Sequence, residues 1–291
     1  MDNYKHLVFE GGGVKGIAYA GAINVLQQKG VLANIESVAG TSAGAITAVL
    51  IALNYTAEQV EKAISELDFK SFEDGFNPLR LTTSYGLYKG DAFLSWMKQR
   101  IKQAGLDENV TFKGLNEAGK FKELRVFATD LYTKSIQEFS FKETPETIVA
   151  EAARASMSIP LFFKSWQFSN KKPNDHIYVD GGVLYNFPFL TFVEPHTTLG
   201  FYLKNVSGKE EIDAFGHNHP LKYVRATFDT LLKAQNIAFE ENLNEERHTV
   251  VIDDEGVSAT NFKLDDKTKK MLMSNGESAT EVFFQNNKEL S

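Results

Sequence analysis

The apolar positions of this chain fall into short continuous runs alternating with longer stretches of helical spacing. His6-Leu7-Val8-Phe9-Glu10 predicts a buried strand, and residues 17–28 carry apolar side chains on a helical repeat that Gly30 stops. Ile35-Glu36-Ser37-Val38-Ala39 predicts a second strand, followed by an apolar, Ala-rich helix over residues 43–53. Residues 58–67 and 92–103 read as amphipathic helices and residues 145–155 as another helix. Residues 124–130 and 198–203 read as core strands, with further strands over 175–180 and 249–252. Residues 221–246 predict one or two helices whose polar end, residues 240–247, is a solvated face or a docking surface. Strands alternating with helices predict an α/β fold: a mostly parallel or mixed sheet covered on both faces, with a functional site at the C-terminal ends of its strands.

Three glycine-bearing motifs stand at such strand ends. Gly40-Thr41-Ser42-Ala43-Gly44 joins the second strand to the apolar helix, which is the setting of an exposed nucleophile on a sharp turn. Ser42 would then sit at a helix N-terminus, where free N–H groups and the dipole favour negative charge. The alternative is a serine that merely caps the helix. Gly11-Gly12-Gly13-Val14-Lys15-Gly16 follows the first strand, and three adjacent glycines let successive N–H groups converge on one oxygen. That oxygen could belong to a dinucleotide pyrophosphate, since Gly11, Gly13 and Gly16 fit the Gly-x-Gly-x-x-Gly spacing and Glu36 stands about 20 residues on, where a ribose-binding acid is expected. It could equally be the oxyanion of an acyl intermediate. Glu10 beside the glycines, Glu36 near the start of its strand and the elbow that follows favour the oxyanion. Asp180-Gly181-Gly182 ends a predicted strand on an acid, either a carboxylate facing a site or an ordinary Asp-Gly turn.

Taken together, these residues resemble the patatin-like phospholipase family. Its Gly-Gly-Gly-x-Lys/Arg-Gly loop matches Gly11 to Gly16, its Gly-x-Ser-x-Gly matches Gly40 to Gly44, and its Asp-Gly-Gly/Ala matches Asp180, Gly181 and Gly182. Its Ala-Ser-x-x-x-Pro stretch matches Ala155-Ser156-Met157-Ser158-Ile159-Pro160. The motif-bearing region covers about residues 6–190, and residues 191–291 are expected to complete the same single domain. The resemblance implies a three-layer α/β/α domain and a lipid acyl hydrolase of the phospholipase A or lysophospholipase type. Ser42 is the implied nucleophile, Asp180 the general base, and the N–H groups of Gly11, Gly12 and Gly13 the oxyanion hole. Lys15, Gly16, Gly40, Gly44, Gly181 and Gly182 support the motifs, and neither metal nor cofactor is required. A carboxylate of reference pKa about 3.9 is a weak base toward a hydroxyl, so such a site has to desolvate Asp180. The rival readings are a catalytically silent binding protein on the same scaffold and an NAD(P)-dependent reductase using Gly11 to Gly16.

A Ser-His-Asp triad would need a histidine after Asp180. His196, His217, His219 and His248 stand in no catalytic setting and are expected to be structural or solvated, while His6 and His176 are expected to pack within strands. The 291 residues carry 43% hydrophobic and 24% charged side chains, the balance of a globular enzyme, and no cysteine, so thiol chemistry is excluded. A net charge of −7 without a basic block argues against nucleic acid and against long-range attraction to an anionic membrane. Lipid contact is therefore expected to be local and apolar. Residues 72–88 are the candidate, because Phe72, Phe76, Leu79, Leu81, Tyr85, Leu87 and Tyr88 follow neither a helical nor an alternating pattern and suit either a flap or simple packing. No transmembrane or signal segment is read, which predicts a cytoplasmic protein or one exported by a signal-less route.

Overall fold

Leu7, Val8 and Phe9 are wholly buried because the strand that carries them, β1 (His6–Phe9), lies inside a sheet rather than at its edge. The computed structural model describes residues 4–208, 216, 219–240 and 247–289. After β1 come α1 (Ala18–Gln28), β2 (Ser37–Thr41), α2 (Ala43–Ala52), α3 (Ala57–Ser65), α4 (Arg80–Thr83) and β3 (Gly86–Tyr88). The middle of the chain forms α5 (Asp91–Gln103), α6 (Phe112–Glu117), β4 (Glu123–Asp130), β5 (Ser135–Phe139), α7 (Val149–Ser156), β6 (Leu161–Phe163) and β7 (Tyr178–Asp180). The remainder forms β8 (Thr198–Lys204), α8 (Pro220–Glu240), β9 (Thr249–Asp253) and α9 (Asp266–Glu289).

The main sheet runs in the order β5, β4, β2, β1, β8, β9, with β7 also paired to β4. Neighbours from β4 through β9 are parallel, whereas β5 and β7 run antiparallel to β4. This is the expected α/β architecture, a mostly parallel central sheet flanked by helices. Helix α2 explains its own position: all ten of its residues are buried, so it has no polar face to offer water and packs against β2. Helix α3 is amphipathic and starts on a reciprocal cap in which Thr56 and Gln59 each accept the other's backbone N–H. The C-terminal helix α9 presses on α1 through glycines at the crossing. A Cβ on Gly21 would stand 1.9 Å from the Met273 carbonyl oxygen, and one on Gly276 would stand 1.9 Å from that of Ala18.

Several boundaries differ from the sequence reading. Strand β2 starts at Ser37 and continues through Gly40 to Thr41, because Glu36 and Ser37 donate backward to the Lys5 carbonyl before the ladder with β1 begins. Residues 13–17 form a 3-10 turn ahead of α1. Helix α7 begins only at Val149, since Ser140, Thr144 and Thr147 hold the preceding residues in backbone turns. Only Tyr178–Asp180 of the predicted strand reaches β4, so His176 lies outside it. Residues 72–88 contain α4 and β3. They are tied down by Asp74, whose carboxylate accepts the N–H groups of Gly90, Asp91 and Ala92, and by Arg80, which donates to the Gly75 and Leu87 carbonyls. Phe72, Leu87 and Tyr88 are core residues there, while Phe76, Leu79 and Tyr85 face outward. Of the predicted polar stretch 240–247, residues 241–246 lie outside the described residues. Among the described residues, no helix is long and apolar enough to cross a membrane.

Candidate active site

The register of β4 decides where Ser42 and Asp180 go. Thr41 at the end of β2 pairs with Phe127, and Asp180 at the end of β7 pairs with Ala128, the next residue along β4. Strand β5 occupies the other edge of β4 over these same residues. Strands β2 and β7 therefore share one lane and run into each other, C-terminus to C-terminus. The next residue of β2's chain, Ser42, meets the last residue of β7, and Ser42 Oγ donates to Asp180 Oδ2 at 2.7 Å.

Ser42 is the N-cap of α2, but its hydroxyl makes no capping bond, which disposes of the simple capping alternative. Its backbone has φ 52° and ψ −123°, a region that non-glycine residues avoid and that typically costs about 1–3 kcal/mol. Two features hold it there. The Ser42 N–H donates to Ser156 Oγ at 2.8 Å, and Ser156 in turn donates to the Phe127 carbonyl at 2.6 Å. The flanking glycines permit close approach of three elements: a Cβ on Gly40 would lie 2.3 Å from the Gly44 carbonyl oxygen, and one on Gly44 would lie 2.2 Å from that of Phe9. Gly16 serves the same packing, since a Cβ there would meet Ala43 Cβ at 2.9 Å.

Asp180 is held on all sides. Its N–H donates to the Ser158 carbonyl at 2.9 Å, its carbonyl accepts from Thr129 Oγ1 at 3.1 Å, and its second carboxylate oxygen accepts from Gly182 N–H at 2.7 Å. Gly181 fits because a side chain would strike the Phe127 carbonyl oxygen, 2.4 Å from its Cβ position. Asp180 has no exposed surface, and burial pushes its carboxyl up to about 7, against the opposing pull of the Ser42 hydroxyl and the Gly182 N–H. The desolvation expected of Asp180 is therefore present. Ser156 and Ser158 both belong to the Ala-Ser-x-x-x-Pro stretch, so one motif holds the backbones of both residues.

The glycine loop differs from expectation in one respect. Gly11 N–H is already bonded to the Asn186 carbonyl at 3.0 Å and cannot serve an oxyanion. For the N–H groups of Gly12 and Gly13 no acceptor is present among the described residues. Gly13 has φ +55°, and a Cβ there would sit 1.9 Å from the Ala259 carbonyl oxygen, so only glycine fits on both counts. Lys15 turns to Asp254, with Nζ 2.7 Å from Oδ2, and ties the loop to the segment after β9. Glu10 is buried. It accepts from Leu203 N–H at 2.7 Å and Asn186 Nδ2 at 2.8 Å, and burial pushes it up to about 8, opposed mainly by Lys15. A cavity of about 490 Å³ opens beside the loop, bordered by Gly11, Lys15 and Asn186 and walled by Arg225, Asp229 and Lys233 of α8. Glu36, the ribose acid of the dinucleotide reading, precedes β2 at the opposite end of the sheet from the glycines and pairs with Lys5.

No described histidine bonds to Ser42 or Asp180. His6 stacks on Phe192, His196 and His219 are exposed, His248 packs edge-on to Tyr4, and His217 lies outside the described residues. His176, expected inside a strand, instead bonds the buried Asp130 carboxylate at 2.7 Å. The described residues include no cluster of His, Asp and Glu suited to a metal ion. Sequence reasoning missed Asn186, six residues past Asp180. An amide that closely follows an Asp-Gly-Gly turn was the available signal.

The family model described as patatin-like phospholipase matches residues 7–193. The protein YqhO of Bacillus subtilis (strain 168) is 31% identical over 293 residues, 96% of this chain and 97% of its own. The probable lipid hydrolase 463L of invertebrate iridescent virus 6 is 26% identical over 202 residues, 66% of this chain and 64% of its own. VipD from Legionella pneumophila shares the fold, with a TM-score of 0.71 at 18% identity over 98% of this chain and 67% of that one. The chain belongs to the patatin-like phospholipase family, a family of lipid hydrolases.

Proposed function

We propose that this protein hydrolyses carboxylic esters of lipids through a Ser42–Asp180 dyad and a covalent acyl-enzyme. The 2.7 Å bond from Ser42 Oγ to Asp180 Oδ2, with no imidazole between them, carries the reading. Asp180, lifted by burial toward neutrality, takes the Ser42 proton as Oγ attacks the ester carbonyl, then delivers it to the departing alcohol or lysolipid. The N–H groups of Gly12 and Gly13 receive the oxyanion, and loss of one such donor in a serine hydrolase typically costs about 100-fold or more. Water completes the cycle by hydrolysing the acyl-enzyme.

The lipid contacts the protein through local apolar groups, for which Phe76, Leu79 and Tyr85 are the exposed candidates. Residues 191–291 act as part of the same catalytic domain: Asp254 anchors Lys15, Ala259 accepts from Val14 N–H, and α9 closes on α1. The test is fluorophosphonate labelling of wild type, Ser42→Ala and Asp180→Asn, read by intact mass, alongside turnover of a nitrophenyl ester. One adduct at Ser42 in wild type, with turnover lost in both variants, is the expected result. A folded wild type that takes no label would overturn the reading and favour the binding protein.

A further inference from the structure

Asn186 contributes nothing to the chemistry described above, yet its side chain is tightly constrained beside the dyad. It is 2% exposed, and its Nδ2 donates to Glu10 Oε1 at 2.8 Å and to the Gly11 carbonyl at 3.1 Å. The Gly11 carbonyl can only accept, so the amide must present its nitrogen there and turn Oδ1 the other way. That Oδ1 is buried and accepts no hydrogen bond from the described residues. Leaving a buried acceptor unpaired costs about 1–3 kcal/mol, which singles the atom out as one that awaits a donor.

The direction of Oδ1 is fixed by what two glycines leave open. A Cβ on Gly11 would stand 2.3 Å from Asn186 Oδ1 and 3.1 Å from Ser42 Cβ. A Cβ on Gly182 would stand 2.9 Å from the same Oδ1 and 3.0 Å from Asp180 Oδ1. Asn186 Oδ1, the Ser42 side chain and the Asp180 carboxylate thus face one small space that any other residue at position 11 or 182 would fill. Gly11 and Asn186 also border the cavity, so the space adjoins a path to solvent.

We propose that Asn186 is a further catalytic residue, whose Oδ1 accepts a hydrogen bond from the water that hydrolyses the acyl-enzyme. The proposal rests on the dyad reading. In this step the water gives one proton to Asp180, its oxygen bonds the acyl carbon, and the carbonyl electron pair moves onto the oxygen facing Gly12 and Gly13. The second O–H stays on Asn186 Oδ1 and aims the lone pair. Collapse restores the carbonyl, breaks the bond to Ser42 Oγ and returns the proton from Asp180 to Oγ, releasing a free carboxylic acid. Glu10 is a positioning residue, because its carboxylate holds the Asn186 amide in this orientation.

Asn186→Ala separates the two halves of the cycle. Fluorophosphonate labelling of Ser42, which needs no water, should stay within about threefold of wild type. Stopped-flow hydrolysis of a nitrophenyl ester should show a full burst followed by a steady state about 10- to 100-fold slower, with an acyl adduct on Ser42 seen by intact mass. Asn186→Ser gives the same readout if the alanine variant does not fold. Glu10→Gln should show the same split more weakly, because Asn186 Nδ2 and Leu203 N–H bond different oxygens of Glu10 and glutamine keeps only one of them. Labelling and turnover that fall together without an adduct, or a folded variant with wild-type turnover, would overturn the proposal. A wild type that is not labelled would remove the dyad reading and this one with it.

Discussion

Replacing Ser156 by alanine removes one oxygen and leaves two buried backbone groups without partners. The Ser42 N–H loses its acceptor at 2.8 Å and the Phe127 carbonyl loses its donor at 2.6 Å, both where water does not reach. Each orphaned group costs about 1–3 kcal/mol, so the variant should be less stable by about 2–6 kcal/mol. The catalytic effect should be separable. Ser42 is held in a backbone region that itself costs about 1–3 kcal/mol, and the lost bond is one of the contacts opposing its relaxation. With Ser42 free to move, Oγ leaves the line to Asp180, and fluorophosphonate labelling should slow by about 10-fold or more.

Ser158→Ala is the control. It removes a hydroxyl bonded to Arg154 but keeps the Ser158 carbonyl that accepts from Asp180 N–H. That variant should lose stability while labelling at a nearly normal rate. Urea denaturation and labelling kinetics on both variants decide the matter. If Ser156→Ala unfolds within about 0.5 kcal/mol of wild type, or labels as fast, then Ser156 does not hold the elbow.

Four further outcomes are expected. Because burial lifts Asp180 to about 7, kcat/KM for a soluble ester should rise with pH through a midpoint near 7, whereas a flat profile from pH 5 to 9 would contradict a buried carboxylate base. Native Asp180 and Glu10, raised to about 7 and about 8, bind protons more tightly than the unfolded chain does, so stability should fall as pH rises from about 4 to about 8. Urea midpoints at pH 5 and pH 9 measure this, and Asp180→Asn should flatten the fall. Gly44→Ala would drive a methyl to 2.2 Å from the Phe9 carbonyl oxygen and should give insoluble protein or a loss above about 3 kcal/mol, while Gly30→Ala, with φ +74° but open space around it, should cost only about 1 kcal/mol. Lys15→Met strands Asp254, which is 4% exposed, and should lower stability by about 1–3 kcal/mol, with partial recovery when Asp254→Asn is added.

What the sequence made legible was local. The elbow of Ser42 is visible because strand, glycine, serine, glycine and apolar helix are contiguous, and α2 announces its burial by having no polar face. The partners of those residues were not legible, because they come from far along the chain. Gly11 looked like an oxyanion donor until its N–H proved to be bonded to residue 186, and Glu10 read only as a negative charge beside the glycines, with nothing local to show that Leu203 and Asn186 bond its side chain. The antiparallel direction of β7 was equally hidden. Asp175 to Asp180 reads as a strand whichever way it runs, and only the pairing of Asp180 with Ala128 shows that it enters the lane of β2 from the other end.

That head-on junction explains how a serine and a carboxylate can be paired without a histidine. In an all-parallel sheet the C-terminal ends of neighbouring strands lie side by side, a strand's width of about 4.8 Å apart, and an imidazole can bridge such a gap. Here two strands end in the same lane, so the side chains of Ser42 and Asp180 meet directly at 2.7 Å and no room is left for a ring. In the proposed reaction, direct contact shifts the demand onto the carboxylate, which must itself be basic enough to receive a hydroxyl proton. Enclosure by β4, α7 and the Gly181–Gly182 turn supplies that basicity by excluding water, and the Gly182 N–H and Ser42 O–H keep the buried charge from being abandoned altogether. The topology and the altered acidity are thus one design: the antiparallel entry of β7 both brings the acid to the serine and buries it.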